Sequence, residues 1–269
     1  MLLCTPGAAR RAAAPAISAC QRACRSTHTQ APSSPSAVTP ADAPPSARPA
    51  GGFAARYFAQ RDARFLRTAV KPDQYAHIRH PEVTFAGRSN VGKSSLINAV
   101  LRSQALARTS RKPGRTATLN FFTLSSKLCP GSVSVVDMPG YGFRSRGEWG
   151  HFVMEYLASR RELQRVFMLV EAKVGELKAT DKSFLGLVEK YGVSTQIVLT
   201  KTDKLKRADL DAIAAAAMRE AAAVAPSAVL PRAICCSSRT GAGIDTLQAE
   251  ILRVCRVRSA PPPPPGKDI

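Results

Sequence analysis

The stretch FAGRSNVGKSS, residues 85–95, has the spacing of a phosphate-binding loop: a glycine, four intervening residues, and then Gly-Lys-Ser. Gly87 and Gly92 allow the backbone to fold tightly, so that its N–H groups converge on phosphate oxygens. Lys93 can reach the outer phosphates, and the Ser94 hydroxyl can bind Mg²⁺. A glycine-rich turn between a strand and a helix is the structural alternative. The residues expected to contact phosphate are Gly87, Arg88, Ser89, Asn90, Val91, Gly92, Lys93 and Ser94.

The context favours the phosphate loop, because a predicted strand precedes it and a predicted helix follows it. The whole body of the chain alternates in this way, which predicts an α/β fold: a mostly parallel sheet with helices on both faces. Two apolar runs, 119–124 and 133–138, are too close for a crossover helix and should form an antiparallel pair. We therefore expect six strands with one antiparallel edge strand. Residues 53–70 predict a short amphipathic helix. The predicted strands are 82–87, 119–124, 133–138, 165–172, 195–200 and 232–237, and the other predicted helices are 93–106, 149–160, 180–191, 207–225 and 243–257.

The tetrapeptide TKTD, residues 200–203, indicates which base such a nucleotide carries. It follows a predicted strand and should lie at the carboxyl edge of the sheet, where α/β folds bind ligands. The Asp203 carboxylate can accept hydrogen bonds from the ring imino and exocyclic amino groups of guanine, a pair that adenine does not offer, while the Lys201 stem lies along the base. A surface Lys/Asp turn is the alternative. The candidate base contacts are Thr200, Lys201, Thr202 and Asp203, with a weaker signal in Cys236, Ser237 and Ser238 after the last strand.

Two further loops carry groups that suit a γ-phosphate and its metal ion. Asp137 ends a buried strand and can hold an Mg²⁺-bound water, and the Gly140 N–H can contact the γ-phosphate. Thr116, in the basic loop 107–118, can give Mg²⁺ a second hydroxyl. Loops held in this way are ordered by the γ-phosphate and released after hydrolysis. The candidates are Gly114, Arg115, Thr116, Ala117 and Thr118 in one loop and Asp137, Met138, Pro139 and Gly140 in the other; Ser94, Thr116 and Asp137 are the expected metal ligands, and Lys93, Thr116 and Gly140 the expected catalytic groups.

The charge of the chain favours a polyanionic partner. Its 269 residues carry 39 basic and 19 acidic side chains, a net charge of +20. The excess is not confined to the N-terminal segment, because residues 81–269 alone hold 28 basic and 16 acidic side chains. A basic globular domain fits nucleic acid or an anionic membrane surface, with ordinary solubility charge as the alternative.

The two ends of the chain differ in composition from its body. An Arg-rich, Ser/Ala-rich stretch free of acids precedes Asp42, which is typical of an organellar transit peptide. We therefore expect residues 1–28 to be a mitochondrial presequence that directs the protein to the matrix, with an untargeted disordered tail as the alternative. Residues 29–52 predict a disordered linker and 258–269 a polyproline tail. No apolar run reaches the roughly 18 residues of a membrane span.

Taken together and in this order, the motifs resemble those of translation-factor-class GTPases and, within that class, of the EngB (YihA/YsxC) family of ribosome-assembly GTPases. The resemblance covers about residues 53–257. It implies a P-loop GTPase G domain that binds GTP and GDP with Mg²⁺ and acts in maturation of the large ribosomal subunit, with ribosomal RNA or a precursor of that subunit as partner. With a presequence, that subunit is mitochondrial. We expect a monomer without an integral membrane segment. The motifs concerned are FAGRSNVGKSSLIN (85–98), KPGRTATLNFF (112–122), VDMPGYGF (136–143), TKTDKL (200–205) and CSS (236–238).

Four positions bear on how such a GTPase works. Many GTPases place after DMPG a Gln that orients the attacking water; Tyr141 stands here, as in the EngB pattern, and intrinsic hydrolysis should be slow. Asn90 resembles the potassium-ligating Asn of some related GTPases, which gives the hypothesis that K⁺ stimulates hydrolysis. Thr200 replaces the usual Asn and is expected to contact the base and the loop more weakly. EAK at 171–173 stands where the family reads closer to Asp-x-Arg.

Two other functions use the same loop. A catalytically idle module would use GTP only to shape an RNA-binding or protein-binding surface, and Tyr141 suits it. A small-molecule kinase would bind adenine, and TKTD argues against it.

Overall fold

The computed structural model describes residues 52–76, 79–107, 118–125, 131–141 and 148–257, all within the unit Ala47–Ile269. The expected presequence 1–28, the expected linker apart from its last residue, and the expected tail 258–269 lie outside the described residues. So do residues 108–117 and 142–147 of the two predicted loops.

Seven strands are described: β1 Asp62–Ala69, β2 Glu82–Gly87, β3 Leu119–Ser125, β4 Val133–Asp137, β5 Leu163–Glu171, β6 Thr195–Thr200 and β7 Ile234–Cys235. They form one sheet in the order β1-β3-β4-β2-β5-β6-β7. Strand β2 pairs in parallel with both β4 and β5, and the parallel run continues through β6 to β7. Strand β3 is antiparallel to β4, as predicted, and is also antiparallel to β1.

Helices cover both faces of the sheet, so the predicted α/β class is confirmed. The described helices are α1 Phe53–Ala59, α2 Lys93–Val100, α3 Glu148–Ser159, α4 Ala179–Lys190, α5 Arg207–Val224 and α6 Ile244–Val254. Tyr57 of α1, Ile97 of α2 and Leu247 of α6 belong to one buried apolar cluster. Tyr156 of α3 and Phe184 of α4 belong to the other, together with alanines of α5.

The helix predicted over 53–70 is wrong in its second half. It ends at Ala59, and Asp62–Ala69 forms the edge strand β1 on the outer side of β3. The sheet therefore has seven strands rather than six, and β1 rather than β3 is at the edge. The partner that makes Asp62–Ala69 a strand lies more than fifty residues away, opposite Leu119–Ser125, so local periodicity carries no sign of it.

Helix α2 is shorter than the predicted 93–106, because a backbone turn at Arg102 ends it. Arg102 adopts a left-handed conformation (φ 51°), and the Ser103 N–H donates to the Asn98 carbonyl at 3.0 Å. This is the hydrogen-bond pattern of a Schellman stop. The Asn98 amide then bonds both the N–H and the carbonyl of Ala107, at 2.7 and 2.9 Å, and fixes the chain that leaves the helix.

A buried ion pair joins the base of β2 to the end of α3. The Glu82 carboxylate is fully buried; it accepts two hydrogen bonds from Arg160, at 2.9 and 3.1 Å, and one from the Tyr156 hydroxyl at 2.6 Å. Arg160 also donates to the Ala76 carbonyl at 2.9 Å. The pair thereby connects three segments that are distant in the sequence.

Replacing Arg160 by alanine should lower the free energy of unfolding by about 3–5 kcal/mol, because it leaves a buried carboxylate without its cation. Urea unfolding followed by circular dichroism would measure the change. Arg161→Ala is the matched control: its side chain is exposed, and its effect should stay within about 0.5 kcal/mol. Equal effects of the two substitutions would contradict this account of the pair.

Within the described ranges, no helix combines the length and the apolar character needed to cross a membrane.

Candidate functional site

The loop between β2 and α2 has the backbone shape of a phosphate cradle. Strand β2 ends at Gly87 and α2 begins at Lys93. Gly92 stands at the helix N-terminus with φ 101°, a conformation that side chains rarely adopt. Asn90 is also left-handed, with φ 65°, and Asn tolerates this region better than most residues. The free N–H groups of the first helical turn therefore face the loop at the positive end of the helix dipole.

The Lys93 ammonium contacts the Asp137 carboxylate at the end of the adjacent strand β4. The two side chains are only 12% and 9% exposed, so each charge compensates the desolvation of the other. The predicted phosphate-binding cation and the predicted metal-binding carboxylate thus lie together. Ser94, another predicted metal ligand, is half-buried in the first turn of α2.

The segment after Asp137 packs against the phosphate loop. The Met138 N–H donates to the Phe85 carbonyl at 3.0 Å, and a short parallel bridge pairs Arg88 with Tyr141. A Cβ atom on Gly140 would lie 3.1 Å from the Ser89 hydroxyl and 3.2 Å from its backbone nitrogen. Any larger residue would therefore require Ser89 to shift by a few tenths of an ångström, and Gly140 lies close to the phosphate loop, as predicted.

The Tyr141 side chain is buried against α4. Its hydroxyl donates to Asp181 at 2.9 Å, and its ring stacks on Phe184 with centroids 5.2 Å apart. Burial, and next the Asp181 carboxylate, raises the pKa of Tyr141 well above its ordinary value. Burial likewise raises the pKa of Asp181. The phenol is thus a neutral packing group, consistent with the prediction that this position orients no water.

The predicted base-binding residues are tied to the phosphate loop. Lys201 is left-handed (φ 56°), and its ammonium donates to the Asn90 carbonyl at 2.8 Å. The Thr200 hydroxyl donates to the Val91 carbonyl at 2.7 Å. Thr200 thus contacts the phosphate loop directly, whereas the expectation that this contact is weaker than that of the usual Asn stays a prediction. The shorter side chain reaches the loop because Thr200 is buried at the end of β6, close to the Val91 carbonyl.

Asp203 is held by two residues that follow β7. The Ser237 hydroxyl donates to one carboxylate oxygen at 2.6 Å, and the Arg239 guanidinium lies 2.9 Å from the other. The Ser237 hydrogen bond, and to a lesser extent Arg239, lowers the pKa of Asp203, so the carboxylate stays ionised. Thr202 donates to the Cys236 carbonyl at 3.3 Å. The CSS segment, residues 236–238, for which the sequence provided only a weak indication, therefore lies beside TKTD. Its last residue, Ser238, is exposed.

Sequence reasoning missed two residues of this region. One is Arg239. The other is Glu171, whose carboxylate accepts from Lys201 at 2.8 Å and lies 3.8 Å from Lys204. Glu171 pairs in register with Thr200 at the carboxyl ends of β5 and β6. That adjacency of two predicted parallel strands is the signal that could have found it.

Replacing Glu171 by glutamine should weaken binding of the expected nucleotide roughly five-fold, because the Lys201 ammonium loses the ion pair that fixes its stem. Titration with a fluorescent guanine nucleotide would measure this loss. Glu220→Gln is the matched control, since Glu220 accepts from Lys182 at the same 2.8 Å on α5. A loss as large in the control would mean that ion pairs in general, rather than this one, support binding.

Part of the predicted site lies outside the described residues, namely Gly114, Arg115, Thr116 and Ala117. The metal-binding and catalytic roles of Thr116 therefore stay predictions. Thr118, the last residue of that segment, is described and is half-buried before β3.

The described residues fit a nucleoside polyphosphate and a divalent cation. A cleft of about 240 Å³ runs beside the phosphate loop, between Arg88, Asn90, Glu171 and Lys201. The cradle supplies N–H donors and an ammonium for phosphate, and Ser94 and Asp137 supply the oxygen ligands that Mg²⁺ prefers. Asp203, two residues beyond Lys201 and held by Ser237 and Arg239, supplies an acceptor for a base.

Comparison with known proteins agrees with this geometry. A family model described as "50S ribosome-binding GTPase" matches residues 82–201. The "Probable GTP-binding protein EngB" of Gluconobacter oxydans is 46% identical over 197 residues, which cover 71% of this chain and 83% of that protein. The protein of the same name from Caulobacter vibrioides is 44% identical over 207 residues, covering 75% of this chain and 87% of that one. Among solved structures, Toc33 from Arabidopsis thaliana, in complex with GDP and Mg²⁺, aligns with a TM-score of 0.52 at 17% identity, over 66% of this chain and 85% of that chain, a likeness of fold alone.

Proposed function

Since this chain belongs to the EngB family of GTP-binding proteins, we propose that it is a Mg²⁺-dependent, slow GTPase that acts in assembly of the large ribosomal subunit in the mitochondrial matrix. GTP binding is the general function of the family. The metal requirement, the rate, the ribosomal role and the location are the proposal.

One observation carries the nucleotide part: the Lys201 ammonium donates to the Asn90 carbonyl at 2.8 Å. This hydrogen bond joins the residues that would read a base to the loop that would hold phosphates. The spacing between the two ends of the site is thereby fixed before a ligand arrives, and preorganisation of this kind favours affinity. The carboxylate of Asp203 selects guanine over adenine because it can accept hydrogen bonds from the ring imino and exocyclic amino groups of guanine, a pair that adenine lacks.

The phosphate end of the site has a defined set of roles. The N–H groups of the loop and of the first turn of α2 hold phosphate oxygens, and Lys93 neutralises the outer phosphates. Ser94 and Asp137 would hold Mg²⁺, which when bound screens the phosphate charge. Lys93 and Asp137 contact each other in this structure; Lys93 would pair with a bound phosphate and Asp137 with a bound Mg²⁺ in place of this contact.

Slow hydrolysis follows from Tyr141. The buried phenol bonds Asp181 and supplies no amide to orient water, so we expect an intrinsic rate near the ~10⁻⁴ s⁻¹ of unassisted small GTPases. The same observation keeps the idle GTP-dependent binding module as the second candidate. Small-molecule kinase activity is not retained, because the family is one of GTP-binding proteins.

Charge and the N-terminal composition support the ribosomal and mitochondrial parts of the proposal. The net charge of +20 suits ribosomal RNA, and the matching family model is described as ribosome-binding. The Arg-rich, acid-poor leader suits import into mitochondria. Fusing residues 1–60 to a fluorescent protein would test import, and a cytosolic fusion would contradict the location.

The decisive experiment isolates the tagged full chain with a non-hydrolysable GTP analogue and identifies the RNA that co-purifies. We expect large-subunit ribosomal RNA with the analogue and much less with GDP. Multiple-turnover phosphate release with purified large subunits then separates the two candidates. Release that the subunits accelerate supports the GTPase, whereas GTP-dependent binding without release supports the idle module. Recovery of no ribosomal RNA in either nucleotide state would contradict the ribosomal role.

Potassium is expected to accelerate single-turnover hydrolysis relative to sodium, if Asn90 ligates it. Asn90→Gly is the informative variant, because glycine keeps the left-handed backbone and the carbonyl that Lys201 uses while removing the side chain. The variant should bind GTP normally and hydrolyse it equally fast in both salts. Equal rates for the unmodified protein would remove the potassium hypothesis.

A further inference from the structure

A second cavity, of about 350 Å³, opens at the amino ends of the parallel strands. Residues 79–81 before β2, Glu162 and Gln164 at the start of β5, and residues 254–256 at the end of α6 line this amino-end cavity. The nucleotide site lies at the carboxyl ends of the same strands. Because the six residues of β2 span roughly 20 Å, a ligand in the amino-end cavity is separate from one on the phosphate loop.

Two arginines give the amino-end cavity its charge. Arg79 and Arg256 line it and are exposed, and neither forms an ion pair with any other part of the chain that the structure describes. A guanidinium group without a carboxylate partner is suited to phosphate, which it can bind through two parallel hydrogen bonds. The cavity therefore favours an anionic ligand.

The acids around the cavity already have cationic partners. Glu250 accepts hydrogen bonds from Arg253 at 2.6 and 2.8 Å and also contacts Arg165. The Glu162 carboxylate, which lines the cavity, lies 3.5 Å from Arg160. These acids are thus compensated without the two arginines of the lining, whose charge is left for a ligand.

Arg256 stands at a backbone position where glycine is the usual residue. It follows the last turn of α6 in the left-handed conformation (φ 55°), and the Val257 N–H donates to the Leu252 carbonyl at 2.9 Å. This is a Schellman stop, in which glycine is preferred because a Cβ atom is unfavourable in that conformation. The helix end does not need an arginine here, which points to a role for the guanidinium group itself.

Gln164 adds a group that can distinguish RNA from DNA. Its amide nitrogen donates to the Glu162 carbonyl at 3.1 Å, which leaves the amide oxygen as an acceptor. The 2′-hydroxyl of a ribose is a donor that deoxyribose lacks. The amino-end cavity thus combines cations for phosphate with an acceptor for ribose.

We propose that the amino-end cavity binds the sugar–phosphate backbone of RNA. Arg79 and Arg256 contact phosphates, and Gln164 accepts a hydrogen bond from a ribose 2′-hydroxyl. That this RNA is ribosomal rests on the proposed function, whereas binding of RNA as such does not.

The test measures fluorescence anisotropy of a labelled oligouridylate of about twelve nucleotides with the full chain, with GDP and Mg²⁺ added to fill the nucleotide site. Arg256→Gly should lower the slope of log affinity against log salt by about 0.7, since one phosphate contact is lost, and the double variant with Arg79→Gln should lower it by about 1.4. Glycine suits the left-handed stop, so Arg256→Gly removes the charge without weakening the fold.

Arg102→Gly is the matched control, because Arg102 is an exposed arginine in the same left-handed position after α2. It lies 3.7 Å from Asp245 in the first turn of α6, at the opposite end of that helix from Arg256. This variant should leave the slope unchanged. For the unmodified chain, oligodeoxyuridylate of the same length should bind more weakly than oligouridylate, and Gln164→Leu should bring the two affinities together.

The arginine variants should melt and bind GTP like the unmodified protein. Equal changes of slope for Arg256→Gly and Arg102→Gly would overturn the proposal, because net charge alone would then explain the binding. Equal affinity of the unmodified chain for the two oligonucleotides would overturn the assignment to RNA. Binding to vesicles of anionic lipid that Arg256→Gly weakens, without binding of oligouridylate, would overturn it in favour of a membrane surface. If the chain binds oligouridylate through these residues but no ribosomal subunit, the cavity proposal stands and the ribosomal function fails.

Discussion

Lys93→Ala should abolish GTP binding, with a loss of affinity of at least roughly 100-fold. Lys93 is a largely buried side-chain cation of the phosphate loop, and it contacts Asp137. Alanine removes the charge that neutralises the outer phosphates and leaves the Asp137 carboxylate unpaired beside them. The remaining negative charge then repels the ligand that the lysine attracted.

Two measurements make this prediction decisive. Titration with a fluorescent GTP analogue gives the affinity directly. Thermal melting gives it through linkage, because saturating GTP raises the melting temperature of a protein only if the folded state binds it. Lys190→Ala, an exposed lysine in the last turn of α4, is the matched control and should keep both signals. Binding by the Lys93 variant within ten-fold of the unmodified protein would refute its assigned role.

Asp203→Asn should move the preference of the site from guanine toward xanthine. In the assigned role, the Asp203 carboxylate would accept from guanine N–H groups, whereas an Asn amide can donate to the additional carbonyl of xanthine. GTP affinity should fall roughly 100-fold or more, while XTP becomes the preferred nucleotide. Ser237 contacts one oxygen of the Asp203 carboxylate and Arg239 the other, so the position of the carboxylate does not depend on a base alone.

Competition among GTP, XTP and ATP against one fluorescent analogue would measure this shift. The control is Asp209→Asn, an exposed aspartate in the first turn of α5 that follows closely in the chain. It should leave the order of preference unchanged. Unaltered guanine selectivity in the Asp203 variant would remove the base-reading role, and a switch to ATP would revive the kinase that the sequence had disfavoured.

The predictable part of this protein is the part that local patterns encode. The alternation of strands and helices follows from the periodicity of apolar residues along the chain. The proximity of Lys93 to Asp137 follows from the rule that ligands bind at the carboxyl ends of parallel strands. Strand β1 was not predictable in the same way, because its identity depends on pairing with β3. The orientation of the Tyr141 ring was not predictable either, because its partners Asp181 and Phe184 lie on a helix some forty residues further along the chain.

Glu171 shows the same limit at the scale of one side chain. Its sequence context, EAK, looked like a departure from the family pattern, and no motif assigns it a role. Only the register of β5 against β6 brings its carboxylate to Lys201. The functions assigned to the individual site residues stay predictions until the substitutions above are measured.

The hydrogen bond between Lys201 and Asn90 has a consequence for how the protein acquires activity. It spans 111 positions of the chain, so it forms only after β5 and β6 have assembled beside β2. Contacts of such long sequence separation are slow to form, because a large loop must close first. Nucleotide affinity is therefore a late event in folding, and the appearance of GTP binding during refolding would time the completion of the central sheet.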